Sequence, residues 1–117
     1  MKLNSISGVS YQVADVEAST KFYESLGMRV GKHDDKRATV YVNWFSVDLI
    51  AEDTAKNSSK GTGHCMRIKV DAIDECYQDL IAEGMQPETE PTLQASGNSE
   101  FTLSDPDGYQ LVFFEKK

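Results

Sequence analysis

The segment CMRIKVDAIDECYQDLIAEGM, Cys65 to Met85, decides the fold. Met66, Ile68 and Val70 alternate with Cys65, Arg67 and Lys69, the period-two pattern of a strand with one apolar face and one face of different chemistry. From Ile73 the period lengthens: Ile73, Tyr77, Leu80 and Ile81 fall at helical spacing, and Gly84 offers a stop just past them. A strand therefore feeds directly into an amphipathic helix. The same unit occurs 57 positions earlier, where Val13 matches Val70, Val16 matches Ile73, Gly27 matches Gly84 and Met28 matches Met85. There Val9, Tyr11 and Val13 alternate with Gly8, Ser10 and Gln12. The chain reads as two copies of one structural unit, and the side of each strand turned away from its helix is where function is expected.

Composition bounds the possibilities. A chain of 117 residues has room for one modest core. Its net charge of -7, with no basic run, argues against nucleic acid or an anionic membrane as partner. No apolar segment is long enough for a signal peptide or a membrane span, so a cytoplasmic protein is expected. In a reducing compartment Cys65 and Cys76 are expected to be two buried free thiols, and no CxxC pair suggests zinc or thioredoxin-type chemistry.

Outward from the central segment, Ile6 to Val13 reads as the first strand. Asp15 can cap a helix whose buried stripe is Val16, Phe22, Tyr23 and Leu26, ending at Gly27. Met28 to Gly31 is a short strand, His33 to Arg37 a charged turn, and Ala38 to Trp44 and Phe45 to Ala51 two further strands. The polar run EDTAKNSSKGTG, from Glu52 to Gly63, reads as the linker, centred on 54–62, between a first module of about 5–53 and a second of about 63–116. Met85 to Pro91 carries two prolines and is expected to be an edge strand or irregular, with Thr92 to Ser99 a small-residue loop. Phe101 to Ser104 and Tyr109 to Phe114 form a closing hairpin around the turn residues Asp105-Pro106-Asp107-Gly108. Trp44, Tyr41, Phe45, Phe101 and Tyr109 either ring a binding surface or a subunit seam or, the commoner role of strand aromatics, fill the core.

VADVEASTKFYESLGM, KVDAIDECYQDLIAEGM and the closing FTLSDPDGYQLVFFE resemble, in that order, members of the vicinal oxygen chelate superfamily. This superfamily includes glyoxalase I, extradiol dioxygenases and the bleomycin- and fosfomycin-resistance proteins. The resemblance implies one α+β domain over 1–117, built of two βαβββ modules whose eight strands form a cup-shaped mixed sheet, commonly in a homodimer. In the metal-dependent relatives the cup holds one divalent ion, bound by His or Glu on the first and fourth strands of each module.

Carried onto this chain, those ligand positions are Gly8, Cys65 and Val112, with the remaining fourth-strand position at Asp48 or Ile50. One thiol and one uncertain acid are too few for an ion that takes three or four donors from the protein. The expectation is no metal and no cofactor. His64 is one residue from Cys65, but a slip of register that brought it into the cup would turn Arg67 and Lys69 under the helix. The plainer reading is a histidine at the start of a strand, and His33 reads as solvated.

Without an ion the expected inward residues still describe a ligand pocket. Ser10, Gln12, Asp48, Cys65, Arg67, Lys69 and Gln110 supply polar groups, and Ile50, Val112 and Phe114 apolar walls. Arg67 and Lys69 either meet a ligand carboxylate or phosphate, or pair with neighbouring acids. Cys65 as a nucleophile lacks a base, so no catalytic residue is assigned. Two functions follow: a metal-independent protein that binds a small organic molecule, like the antibiotic-sequestering relatives, or a divalent-metal lyase, isomerase or dioxygenase.

Overall fold

The computed structural model describes residues 1–52 and 64–116; the linker expected at 54–62 lies outside them. Two compact units, Met1–Lys60 and Gly61–Lys117, each run strand, helix and three strands. The chain is an α+β protein of two βαβββ modules.

The first unit contains β1 (Gly8–Val13), α1 (Val16–Ser25), β2 (Arg29–His33), β3 (Arg37–Val42) and β4 (Phe45–Ala51), in sheet order β1-β4-β3-β2. β1 pairs parallel with β4, and the other pairs are antiparallel. The Asp15 carboxylate accepts the Ala18 N–H at 3.1 Å and so caps α1. Gly27 ends the helix with φ 105°, a left-handed value that other residues resist. Val16, Ser19 and Tyr23 of α1 are buried with Val13, Ala38, Val40, Val47 and Leu49 of the sheet. Phe22 and Leu26, expected in the stripe, are only half-buried. The charged turn is shorter than expected, because His33 and Arg37 close β2 and open β3.

The second unit repeats the plan with β5 (Cys65–Lys69), α2 (Ile73–Ala82), β6 (Thr92–Leu93), β7 (Ser99–Ser104) and β8 (Gln110–Glu115), ordered β5-β8-β7-β6. Ile73 and Leu80 of α2 are buried. Ile81, placed in the stripe by spacing, is exposed. Residues 85–91 form no strand, and the unit's second strand falls at Thr92–Leu93, inside the expected loop. Pro87 and Pro91 lack the N–H groups that a ladder requires, which moves the pairing past the second proline. Phe101 stacks on Phe113 with centroids 4.9 Å apart, and Tyr77 meets Phe101 edge-on at 5.3 Å. Phe101 and Tyr109 are thus core residues of this unit, whereas Trp44 is 75% exposed. The closing turn is held by the buried Asp105, whose Oδ1 accepts the N–H groups of Asp107 and Tyr109 at 2.8 and 2.9 Å.

Candidate functional site

In each unit one sheet face lies under the helix and the other does not, and register decides which side chains share the second face. Residues directly paired across a ladder point to the same side. In the first unit Gly8, Ser10 and Gln12 pair with Ser46, Asp48 and Ile50, which pair in turn with Tyr41, Thr39 and Arg37. All nine therefore lie opposite the face of buried Val47 and Leu49. In the second unit Cys65, Arg67 and Lys69 pair with Gln110, Val112 and Phe114, and these with Ser104, Thr102 and Glu100. The ten residues expected to line the pocket fall on helix-free faces: Ser10, Gln12, Asp48 and Ile50 in one unit, the other six in the second.

Register also matches Asp48 and Ile50 to positions of the second unit. Ser10 and Arg67 are 57 positions apart in the repeat, and their parallel partners are Asp48 and Val112. Asp48 is therefore the counterpart of Val112, and Ile50 that of Phe114.

The Asp48 carboxylate is engaged. One oxygen accepts from the Arg37 guanidinium at 2.7 Å and the other from the Thr39 hydroxyl at 2.8 Å. The hydrogen bond from Arg37, then that from Thr39, holds its pKa below the ordinary carboxylate value. Gly8 is enclosed: a Cβ built there would overlap the carbonyl oxygen of Ser46, whose N–H donates to the Ser7 carbonyl at 2.9 Å. Nearby, the Arg29 guanidinium lies 5.3 Å from the Tyr41 ring centroid.

On the second unit's face the Arg67 guanidinium reaches across β8 to Glu100 at 2.7 Å, and its carbon lies 4.7 Å from the centroid of the Phe114 ring. Glu88, from the segment before β6, accepts from the Ser104 hydroxyl and, at 3.4 Å, from Gln110 Nε2. Cys65 is exposed and Cys76 half-buried, so the expectation of two buried thiols is corrected. Cys65 opens β5 on the open side of the sheet, and only α2 is partly covered at Cys76. Burial pushes the Cys76 thiol pKa up, with a contribution from Asp79. His64 lies just outside β5, exposed, with its ring 6.4 Å from that of Tyr109.

Arg37, Thr39, Glu100 and Glu88 were not reached by the sequence reading. The first three had a signal: Ala38 and Val40 alternate with Arg37, Thr39 and Tyr41, and Phe101 and Leu103 with Glu100, Thr102 and Ser104. Glu88 had none, because it sits in irregular backbone. A cavity of about 680 Å³ also opens beside α1, lined by Val16, Thr20, Val30, Gly31 and several acids, and none of the residues expected at the site lines it.

A family model described as the Glyoxalase/Bleomycin resistance protein/Dioxygenase superfamily matches residues 3–113. The chain belongs to this superfamily. Among solved structures it is similar to an integron cassette protein from V. cholerae, with a TM-score of 0.79 and 21% identity over 100% of this chain and 98% of that one. It is also similar to a bleomycin-binding protein complexed with bleomycin, at TM-score 0.71, 21% identity, and 97% and 100% coverage. Lactoylglutathione lyase from Agrobacterium tumefaciens gives TM-score 0.78 at 14% identity, covering 98% and 96%. At these identities the likenesses establish the fold alone. No curated protein sequence matches the chain. Among the described residues, no helix is long and apolar enough to cross a membrane.

Proposed function

We propose that this superfamily member binds a small organic molecule on its helix-free sheet faces and does so without the divalent ion of its metal-dependent relatives. The observation that carries the reading is the state of the four positions where those relatives place metal ligands. Gly8 has no side chain, and the Ser46 carbonyl occupies the space where one would start. Val112 is apolar. Asp48 already accepts from Arg37 and Thr39. Cys65 alone offers a free donor. Such a set does not fit a divalent ion that takes three or four protein ligands, and no three His, Cys, Asp or Glu side chains converge among the described residues.

What remains suits an organic ligand. On the first unit's face half-buried Ile50 lies beside the polar groups of Ser10 and Gln12, and on the second unit's face half-buried Val112 and Phe114 lie among those of Cys65, Arg67, Lys69 and Gln110. The fold is shared with a protein solved with bleomycin bound, which supports capture of a small molecule. We place the protein in the cytoplasm as a homodimer, for which the exposed Val42 and Trp44 offer apolar surface.

Calorimetric screening of amphiphilic small molecules, with and without EDTA, tests the proposal. Saturable binding that chelator leaves unchanged is expected. Binding abolished by EDTA and restored by a stoichiometric metal would reverse it.

A further inference from the structure

We infer that the second unit's helix-free face recognises an organic oxyanion, with Arg67 and Lys69 as the anion-binding groups and Phe114 as the surface for the ligand's apolar body. This rests on the small-molecule reading above and adds the ligand's charge.

The Arg67–Glu100 pair is asymmetric. The Glu100 side chain is 20% exposed and that of Arg67 48% exposed. The carboxylate is thus the covered anchor and the guanidinium the open group. One terminal nitrogen of Arg67 meets Glu100 at 2.7 Å, while the guanidinium carbon lies over the Phe114 ring, 4.7 Å from its centroid. Two contacts hold the guanidinium in place, and the bond to Glu100 uses one terminal nitrogen of a group with five N–H donors, a fork suited to oxyanions. An ordinary surface pair, with two flexible partners equally solvated, would offer no such fixed group.

Lys69 supplies the charge that Glu100 cancels on Arg67. It is paired in register with Phe114 and exposed, and its side chain has no hydrogen bond or ion pair among the described residues. The face is polarised along β8. Glu88 is bonded to Ser104 and Gln110 at one end, and Lys69 flanks Phe114 toward the other. A ligand lying on Val112 and Phe114 would therefore turn its anion toward Lys69 and Arg67. Around Phe114 the face carries Arg67 and Lys69 against Glu100 alone, in a chain whose net charge is -7.

The test uses two fluorescent probes with one ring system: anilinonaphthalene sulfonate, an aromatic anion, and N-phenylnaphthylamine, its neutral counterpart. Saturable binding of the sulfonate is expected, about ten-fold or more tighter than the neutral probe, equivalent to about 1.4 kcal/mol. Arg67→Met and Lys69→Met should each weaken the sulfonate by a similar factor and by more than they change the neutral probe, with added salt weakening only the sulfonate. Exposed Lys69, whose side chain has no ion pair among the described residues, provides a variant whose folding is not in question should Arg67→Met unfold. Equal binding of both probes, unaffected by either variant, overturns anion recognition while small-molecule binding stands. Saturable binding of neither probe overturns the binding reading itself.

Discussion

Asp48 and Val112 hold the same register position in the two units, opposite Ser10 and Arg67 respectively, yet one is a carboxylate clamped by an arginine and the other is a hydrocarbon. At this shared position the first unit has an acid and ties it into its sheet. The Arg37 side chain is 60% exposed and that of Asp48 only 25%, so the acid is again the covered partner. Its work is to join β3 and β4.

That role predicts an acid-sensitive contribution to stability. Asp48 titrates below its ordinary 3.8 in the folded chain, because Arg37 and Thr39 donate to its ionised form. A depressed folded pKa stabilises above the unfolded value and is lost as pH falls through 3.8 and on through the folded one. Asp48→Asn should cost about 1 kcal/mol at neutral pH, a modest figure because Arg37 is well solvated. Urea midpoints from neutral pH down to pH ~3 should show the gap between wild type and variant closing with acid. A constant gap would mean that the carboxylate's charge contributes nothing.

Gly8 leads to a prediction about restoring a metal site. Gly8→His, combined with Val112→Glu, puts ligating side chains at two of the positions that the proposed reading assigns to the ion of metal-dependent relatives. The Ser46 carbonyl nevertheless stands where the new Cβ must go. The variant is expected to lose stability by about 1–3 kcal/mol from overpacking, rather than to gain an ion. Val112→Glu alone should fold normally, since the site is half-open. Elemental analysis after dialysis, read beside the denaturation midpoint, checks both parts. A stable double variant holding one equivalent of zinc would show that β1 moves away from Ser46 readily.

Parity made most of this legible from sequence. Alternation in CMRIKV and GVSYQV assigned the helix-free residues of β1 and β5 correctly, because burying one face fixes register strongly. The same alternation in RATVY was hidden by the charges around it, so Arg37 read as turn and the partner of Asp48 went unseen. Glu100 was missed because β7 begins two residues earlier than its first large apolar residue, Phe101. Tertiary contacts carry no periodic signal at all. Neither the crossing of Arg67 over β8 to Glu100 nor the reach of Glu88 to Gln110 leaves a local pattern. The short β6 escaped for a different reason: TLQASGNS is composed like a loop, and a two-residue pairing is below what composition resolves.

The two thiols should differ in reactivity. Cys65 is exposed on the open sheet face, and Cys76 is half-buried in α2 with its pKa pushed up by burial and by Asp79. Since the thiolate is the reactive form, iodoacetamide should modify Cys65 at least about ten-fold faster in the native protein. In urea the two rates should converge. Mass spectrometry of the digested protein over time separates them, and faster native labelling of Cys76 would contradict the packing described for α2.

The two helices begin differently, and this gives a prediction specific to the second unit. α1 is capped locally by Asp15, but the matching position before α2 is Ala72, which has no side-chain oxygen to offer. Glu115, at the end of β8, fills the role instead, its Oε1 accepting the N–H of Ile73 at 2.9 Å. A cap supplied from the final strand couples helix and sheet, so its loss should weaken more than local helix geometry. Glu115→Ala is expected to cost about 1 kcal/mol, and Glu115→Gln less, because the amide oxygen still accepts. Hydrogen exchange should quicken at residues 73–76 in Glu115→Ala while the amides of α1 keep their wild-type rates. Asp15→Ala should give the mirror result, with faster exchange confined to the start of α1. Exchange at the start of α2 that ignores Glu115→Ala would show that water caps the helix equally well, and that the strand-to-helix contact is incidental.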